Sequence, residues 1–122
     1  MNIKPMTILV AGPYRSGTND VPELMQQNLD RLGDVALAIF RAGHIPLIGE
    51  WLALPLLRVA GSKKAGDEIY QEILYPIAHR LIPKCDAVLR IDGDSSGADN
   101  DVKLATALGL KIYYKLEDIT GN

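Results

Sequence analysis

Residues 88–113 read VLRIDGDSSGADNDVKLATALGLKIY, and the fold is decided there. VLRI is a short apolar run of the kind buried in a parallel sheet. DGDSSGAD is an acidic loop with glycines at Gly93 and Gly97. The loop opens a helix that ends at Gly109, and KIYY (Lys111 to Tyr114) is a further strand. Asp101 is expected in the first turn of that helix.

Working outward, DAVLRI (Asp86 to Ile91) is the third strand, reached through the turn Pro83-Lys84-Cys85. The helical stretch before it begins at Asp67 and reaches about Ile82, and Pro76 is expected to kink or divide it. GSKKAG (Gly61 to Gly66) reads as a mobile polar loop, and the apolar run from Glu50 to Ala60, interrupted by Pro55, as a short helix or a folded-over cover. HIPLI (His44 to Ile48) is the second strand, with Pro46 pointing to a sheet edge because proline cannot donate to a ladder. A long helix precedes it. Asp20 and Glu23 have capping-box spacing, Pro22 fits the first turn, and apolar residues recur in steps of three and four from Leu24 to Phe40 until Gly43. TILVA (Thr7 to Ala11) is a fully buried, central strand that ends at Gly12-Pro13. Strands alternating with helices give an α/β fold with parallel strands and right-handed crossovers.

The 122 residues fit one domain, residues 1–122, and the 48% hydrophobic and 23% charged composition is that of an ordinary globular chain. A net charge of -2 gives no electrostatic case for nucleic acid or an anionic membrane. No apolar run approaches the ~20 residues of a membrane span, and no N-terminal signal is visible. Cys85 is the single cysteine, so no intramolecular disulfide forms, which suits a reducing cytoplasm.

In an open parallel sheet the ligand sits beyond the carboxyl ends of the strands, at the switch point. GPYRSG after the first strand and DGDSSGAD after the third are the loops that leave those ends. In the first, Gly12 allows close backbone approach, Tyr14 can stack or hydrogen-bond, and Arg15 offers a planar bidentate donor to phosphate or carboxylate. A tight turn with a solvated arginine is the competing reading. The loop has neither the lysine of a Walker motif nor the spacing of a dinucleotide fingerprint. In the second, Ser95, Ser96 and Gly97 precede a helix whose N–H groups and dipole favour an anion. The same dipole is expected to keep Asp101 ionised, and an ionised carboxylate can attack or stabilise a sugar C1′ with oxocarbenium character. Asp99 and Asp101 can equally do no more than complement the helix N-terminus. Asp92, Asp94, Asp99 and Asp101 lack EF-hand spacing, and His44 and His79 stand alone, so neither a metal nor a cofactor is expected.

AGPYR, the helix ending in RAGHIP, KCDAVLRI and SSGADNDVKLATALG together resemble the nucleoside 2-deoxyribosyltransferase-like superfamily, in the right order over nearly the whole chain. The resemblance implies a Rossmann-like three-layer α/β/α fold with a parallel sheet of four or five strands. It implies a transferase or hydrolase acting on the N-glycosidic bond of a nucleoside or nucleotide, of the 2-deoxyribosyltransferase or 5′-monophosphate N-glycosidase type. Gly12, Tyr14 and Arg15 would line the sugar or phosphate side, Ser96 and Gly97 would approach the 5′ end, and Asp101 would stand at the nucleophile position. A homodimer or larger homo-oligomer follows from the same resemblance. Two positions depart from the family pattern. The nucleophile is glutamate in the family and is Asp101 here. The helix acid eight residues before the position of Asp86 is Ala78 here, with His79 beside it. A non-catalytic nucleotide-binding module that retains the pocket is therefore the alternative, and an assembly subunit using Trp51 to Leu57 as an interface is a third.

Overall fold

Thr7–Ala11 offers no polar face to solvent, and it forms β1 in the interior of the sheet. The computed structural model, which describes residues 4–121, continues with α1 (Pro22–Arg41), β2 (Ile45–Leu47), α2 (Gly49–Ala60), α3 (Glu68–Leu81), a 3-10 turn (Ile82–Lys84), β3 (Ala87–Arg90), α4 (Ser96–Ala107), β4 (Lys111–Tyr113) and α5 (Glu117–Thr120). The strands make one four-stranded, all-parallel sheet in the order β2-β1-β3-β4. Leu9 lies opposite Leu47 of β2 and Val88 of β3, and Val88 lies opposite Ile112 of β4. Pro46 does fall on an edge strand, where its missing N–H breaks no ladder.

Side chains alternate across a strand, so β1 and β3 supply two cores. Ile8, Val10, Ala87 and Leu89 pack with Leu32, Ala36 and Ile39 of α1, and α5 adds Leu116 and Ile119 to that side. Leu9, Ala11 and Val88 pack on the opposite face with Ile82, Cys85 and the α4 residues Ala98 and Ala105. The result is the expected three-layer α/β/α arrangement, with four strands. Among the described residues no helix is long and apolar enough to cross a membrane.

Three local expectations are corrected. Asp20 does not cap α1: Val21 is the N-cap without a side-chain bond, and Pro22 takes the first helical position. Asp20 instead adopts a left-handed conformation (φ 59) and turns its carboxylate to Arg15. Pro76 does not divide α3, and the run from Glu50 to Ala60 is the short helix α2 with Pro55 inside it. An interior proline costs a helix about 3 kcal/mol, and the packing of α2 against α3 outweighs that loss. The segment 61–66 is tied down. The Asp67 carboxylate caps α3 at Tyr70 N (2.8 Å) and also accepts from Ser62 Oγ (2.9 Å), Lys63 N (2.8 Å) and Lys64 N (3.3 Å).

Candidate functional site

β1 and β3 are neighbours, yet the chain moves from β1 to one edge and from β3 to the other. The loops leaving their carboxyl ends therefore diverge and open a crevice. α1 holds both loops. Asn28 Nδ2 donates to the Tyr14 carbonyl (2.8 Å), and the Arg31 guanidinium donates to the Asp92 carbonyl (2.7 Å). The loops meet at Pro13 and Gly93. Gly93 has φ 115, and a Cβ there would lie 2.7 Å from Pro13 Cγ, so only glycine fits.

Between the loops is a cavity of about 360 Å³. Gly12, Tyr14, Arg15, Ser96, Gly97 and Asp101 all line it, so the residues singled out in the sequence do converge. Glu50, Tyr70, Tyr75 and Ala78, from α2 and α3, also line it.

Asp101 lies deeper in α4 than expected. The helix begins at Ser96, with the Ser95 hydroxyl accepting from Ala98 N (3.1 Å), which puts Asp101 in the second turn. The helix dipole has faded there. The side chain is 14% exposed, and His79 Nε2 stands 3.7 Å from its Oδ1. Burial, and then the charge on Glu50, push the Asp101 carboxyl up to about 7 against the opposing pull of Arg90. The expectation of a fully ionised Asp101 is corrected accordingly. Near neutrality it is divided between its two forms.

Glu50 is the residue the sequence reading left unplaced. α2 crosses α3 at Ala78, where a Cβ on Gly49 would come within 3.8 Å of Ala78 Cβ. The next residue, Glu50, is thereby carried to the small space that Ala78 leaves. Glu50, Ala78 and Asp101 also line a recess of about 30 Å³ next to the main cavity. Burial raises the Glu50 carboxyl above its ordinary range, opposed by a backbone hydrogen bond. Two carboxyl groups thus share one desolvated space, and their protons belong to the pair.

Arg15 is already engaged. Its Nε and terminal nitrogen bind Asp20 at 2.6 and 3.1 Å, and its guanidinium lies 5.5 Å from the centre of the Tyr70 ring. The Asp20 hydrogen bond holds the guanidinium charged and lowers the Asp20 carboxyl. Asp20 lines the cavity as well, so this wall presents a pair rather than an isolated cation. Tyr14 is raised by burial and by Glu50.

Ser96 and Gly97 supply the first helical N–H groups of α4, which have no acceptor within the helix. A Cβ on Gly97 would meet little, its nearest neighbour being Ser95 Oγ at 4.0 Å, so this stretch of cavity wall is open to a ligand. Asp99 faces away and binds Arg90 (3.0 Å). Among the described residues, no three His, Cys, Asp or Glu side chains are placed to hold a metal.

Trp51 is 45% exposed on the outer side of α2 and is not among the residues lining the cavity. His44 is a buried structural group whose Nδ1 accepts from Met6 N (3.0 Å). Cys85 is core packing, its thiol raised by burial. Glu50, Tyr70 and Tyr75 carried only one signal in the sequence, that of polar or aromatic residues inside the apolar-rich segments. For His79 the signal was its place beside Ala78.

No protein-family model matches the chain, and no curated protein gives a significant match.

Proposed function

We propose that the chain is a nucleoside 2-deoxyribosyltransferase-like enzyme that cleaves the N-glycosidic bond of a nucleoside or nucleotide. The observation that carries this reading is the pairing of Asp101 with Glu50 in a cavity bounded by both switch-point loops. A coupled pair of carboxyls can hold one proton between them, and that is the division of labour that glycosidic cleavage requires.

Ionised Asp101 attacks C1′ as the bond to the base nitrogen breaks. In the reactive form the pair's proton sits on Glu50, which gives it to the departing base from the space that Ala78 leaves. The glycosyl ester on Asp101 is then opened by an acceptor, water for hydrolysis or a second base for transfer. Glu50 recovers a proton from that acceptor, and Asp101 is released as carboxylate. Ser96 and Gly97 meet the 5′ oxygen or phosphate with backbone N–H groups, and Tyr14 and Arg15 bound the opposite side. Aspartate is one methylene shorter than glutamate, and about 1 Å of misplacement costs roughly 100-fold in rate. The substrate must therefore sit closer to α4 than a glutamate would demand. The reading includes a homodimer or larger homo-oligomer. The exposed side of α2, with Trp51, Leu52, Leu56 and Val59, is an apolar surface suited to it.

The test is to incubate the protein with a panel of ribonucleosides, deoxyribonucleosides and their monophosphates and to follow free base by chromatography. Release from at least one supports the reading, and none from any, with folded protein, overturns it. Ala78 and the engaged Arg15 favour a second reading, a nucleotide-binding module without turnover. In that case Asp101→Asn keeps or improves affinity, because a negative charge leaves the cavity.

A further inference from the structure

A second cavity, of about 420 Å³, lies on the other side of Tyr14 and Tyr70, which line both. Leu54 and Leu57 of α2 give it apolar wall, and Arg58, Lys63 and Lys64 bring positive charge to it. No carboxylate is among its lining residues. The nearby acid in sequence, Asp67, is committed elsewhere, because its oxygens accept from Ser62 Oγ and from the N–H groups of Lys63, Lys64 and Tyr70. Those bonds hold its carboxyl down at about 2, so it stays ionised but serves the backbone. Among the described residues, Arg58, Lys63 and Lys64 make no ion pair. Cations gathered over low-dielectric walls, in a chain of net charge -2, concentrate anions at that spot.

An independent observation marks the boundary. Tyr70 is 3% exposed, and its hydroxyl is buried with no hydrogen-bond partner among the described residues. Its ring is fixed by the Arg15 guanidinium on one side and by Tyr75 on another, edge to face at 6.0 Å between centres. A fixed, buried, unpaired O–H is destabilising unless something accepts from it.

We propose that this second cavity is a subsite for a phosphate-type polyanion, held by Arg58, Lys63 and Lys64, with the Tyr70 hydroxyl donating to it at the boundary with the main cavity. The anion is either the phosphate chain of a ligand whose remainder occupies the main cavity, which rests on the glycosidic reading, or a separate polyphosphate bound beside it.

Isothermal titration of the full chain with inorganic tripolyphosphate tests the site without reference to turnover. The wild type binds it, and Lys63→Ala/Lys64→Ala weakens binding about tenfold or more. Lys103→Ala, a charge removed from α4, changes it little. Tyr70→Phe binds severalfold more weakly while its melting temperature holds or rises, since an unpaired hydroxyl has been removed. Tripolyphosphate that fails to bind the wild type, or that binds the double-lysine variant as tightly, overturns the site. An equal loss in Lys103→Ala overturns it too, by showing general charge attraction. Unchanged binding in Tyr70→Phe removes the hydroxyl from it. A nucleoside triphosphate that outbinds its monophosphate, with the advantage lost in the double-lysine variant, identifies a tethered chain. Tripolyphosphate that binds together with the monophosphate identifies a separate anion. A protein that binds tripolyphosphate but releases no base keeps this subsite and sinks the glycosidic reading alone.

Discussion

Asp101 and Glu50 line one cavity, and the charge on Glu50 is the second cause, after burial, that pushes the Asp101 carboxyl up to about 7. They come from distant stretches of the chain. Asp101 rides on α4 behind β3, whereas Glu50 is delivered by the first turn of α2, where that helix crosses Ala78. Two carboxyl groups need not be near in sequence when α2 and α4, each packed against α3, bring them to one space.

The first consequence is thermodynamic. Asp101 loses its proton near 3.8 when unfolded and near 7 when folded. Between those values the folded state binds more proton, so this group's contribution is fully present below about pH 4 and is lost as pH rises through 7. Asp101→Asn removes that loss. Thermal melts from pH 4 to pH 8 are expected to show the variant gaining on the wild type as pH rises, with a difference on the order of 4 kcal/mol at the alkaline end. A difference that stays constant with pH contradicts the placement of Asp101.

Glu50→Gln tests the coupling itself. Without the neighbouring charge, Asp101 ionises at lower pH. With no second carboxyl left to lose a proton, the falling limb of the pH–rate profile for base release should disappear, while the maximal rate falls by about 10²–10⁴ as the proton donor is lost. A profile that keeps both limbs separates the two carboxylates and removes Glu50 from the mechanism.

The fold was legible where one physical cause dominates. TILVA, HIPLI, DAVLRI and KIYY are apolar, β-branched or both, and each contains a strand of the sheet. Gly12 and Gly97 mark the two loops, the first because a Cβ at the end of β1 would collide with Ile91, the second as the second residue of α4. The errors arose where tertiary contact overrides local preference. Asp20 had the spacing of a cap, but Arg15 offers it a stronger, charged partner. Pro76 had the position of a break, yet α3 gains enough from its packing on α2 to continue. Glu50 is a polar candidate in the sequence but takes no role there, because its neighbours Trp51, Leu52 and Leu54 make the segment read as a short helix or cover, and only the crossing at Ala78 reveals what its carboxylate faces.

Gly12 supplies a packing test. A Cβ there would collide with the Ile91 side chain, coming within 2.9 Å of its Cδ1, and would lie 3.2 Å from Leu32 Cδ2. Ile91 is branched at Cβ and cannot swing clear easily. Gly12→Ala should cost about 1–3 kcal/mol in denaturant titration. A neutral effect contradicts the close approach of β1's end to Ile91.

Arg15 and Asp20 supply a charge test. Their pair is exposed, so breaking it should leave the melting temperature nearly unchanged. Asp20→Asn releases the guanidinium, and calorimetric titration with a nucleoside monophosphate is expected to show severalfold tighter binding, with little change for the uncharged nucleoside. Equal changes for both ligands contradict a phosphate-facing Arg15.

The most direct measurement of the central claim is the single-turnover rate of base release by wild type and Asp101→Asn, on whichever nucleoside or monophosphate the wild type cleaves. The account predicts a loss of at least about 10³-fold in the variant, with the ligand still bound and the fold intact by circular dichroism. An Asp101→Asn protein that releases base at the wild-type rate would contradict it.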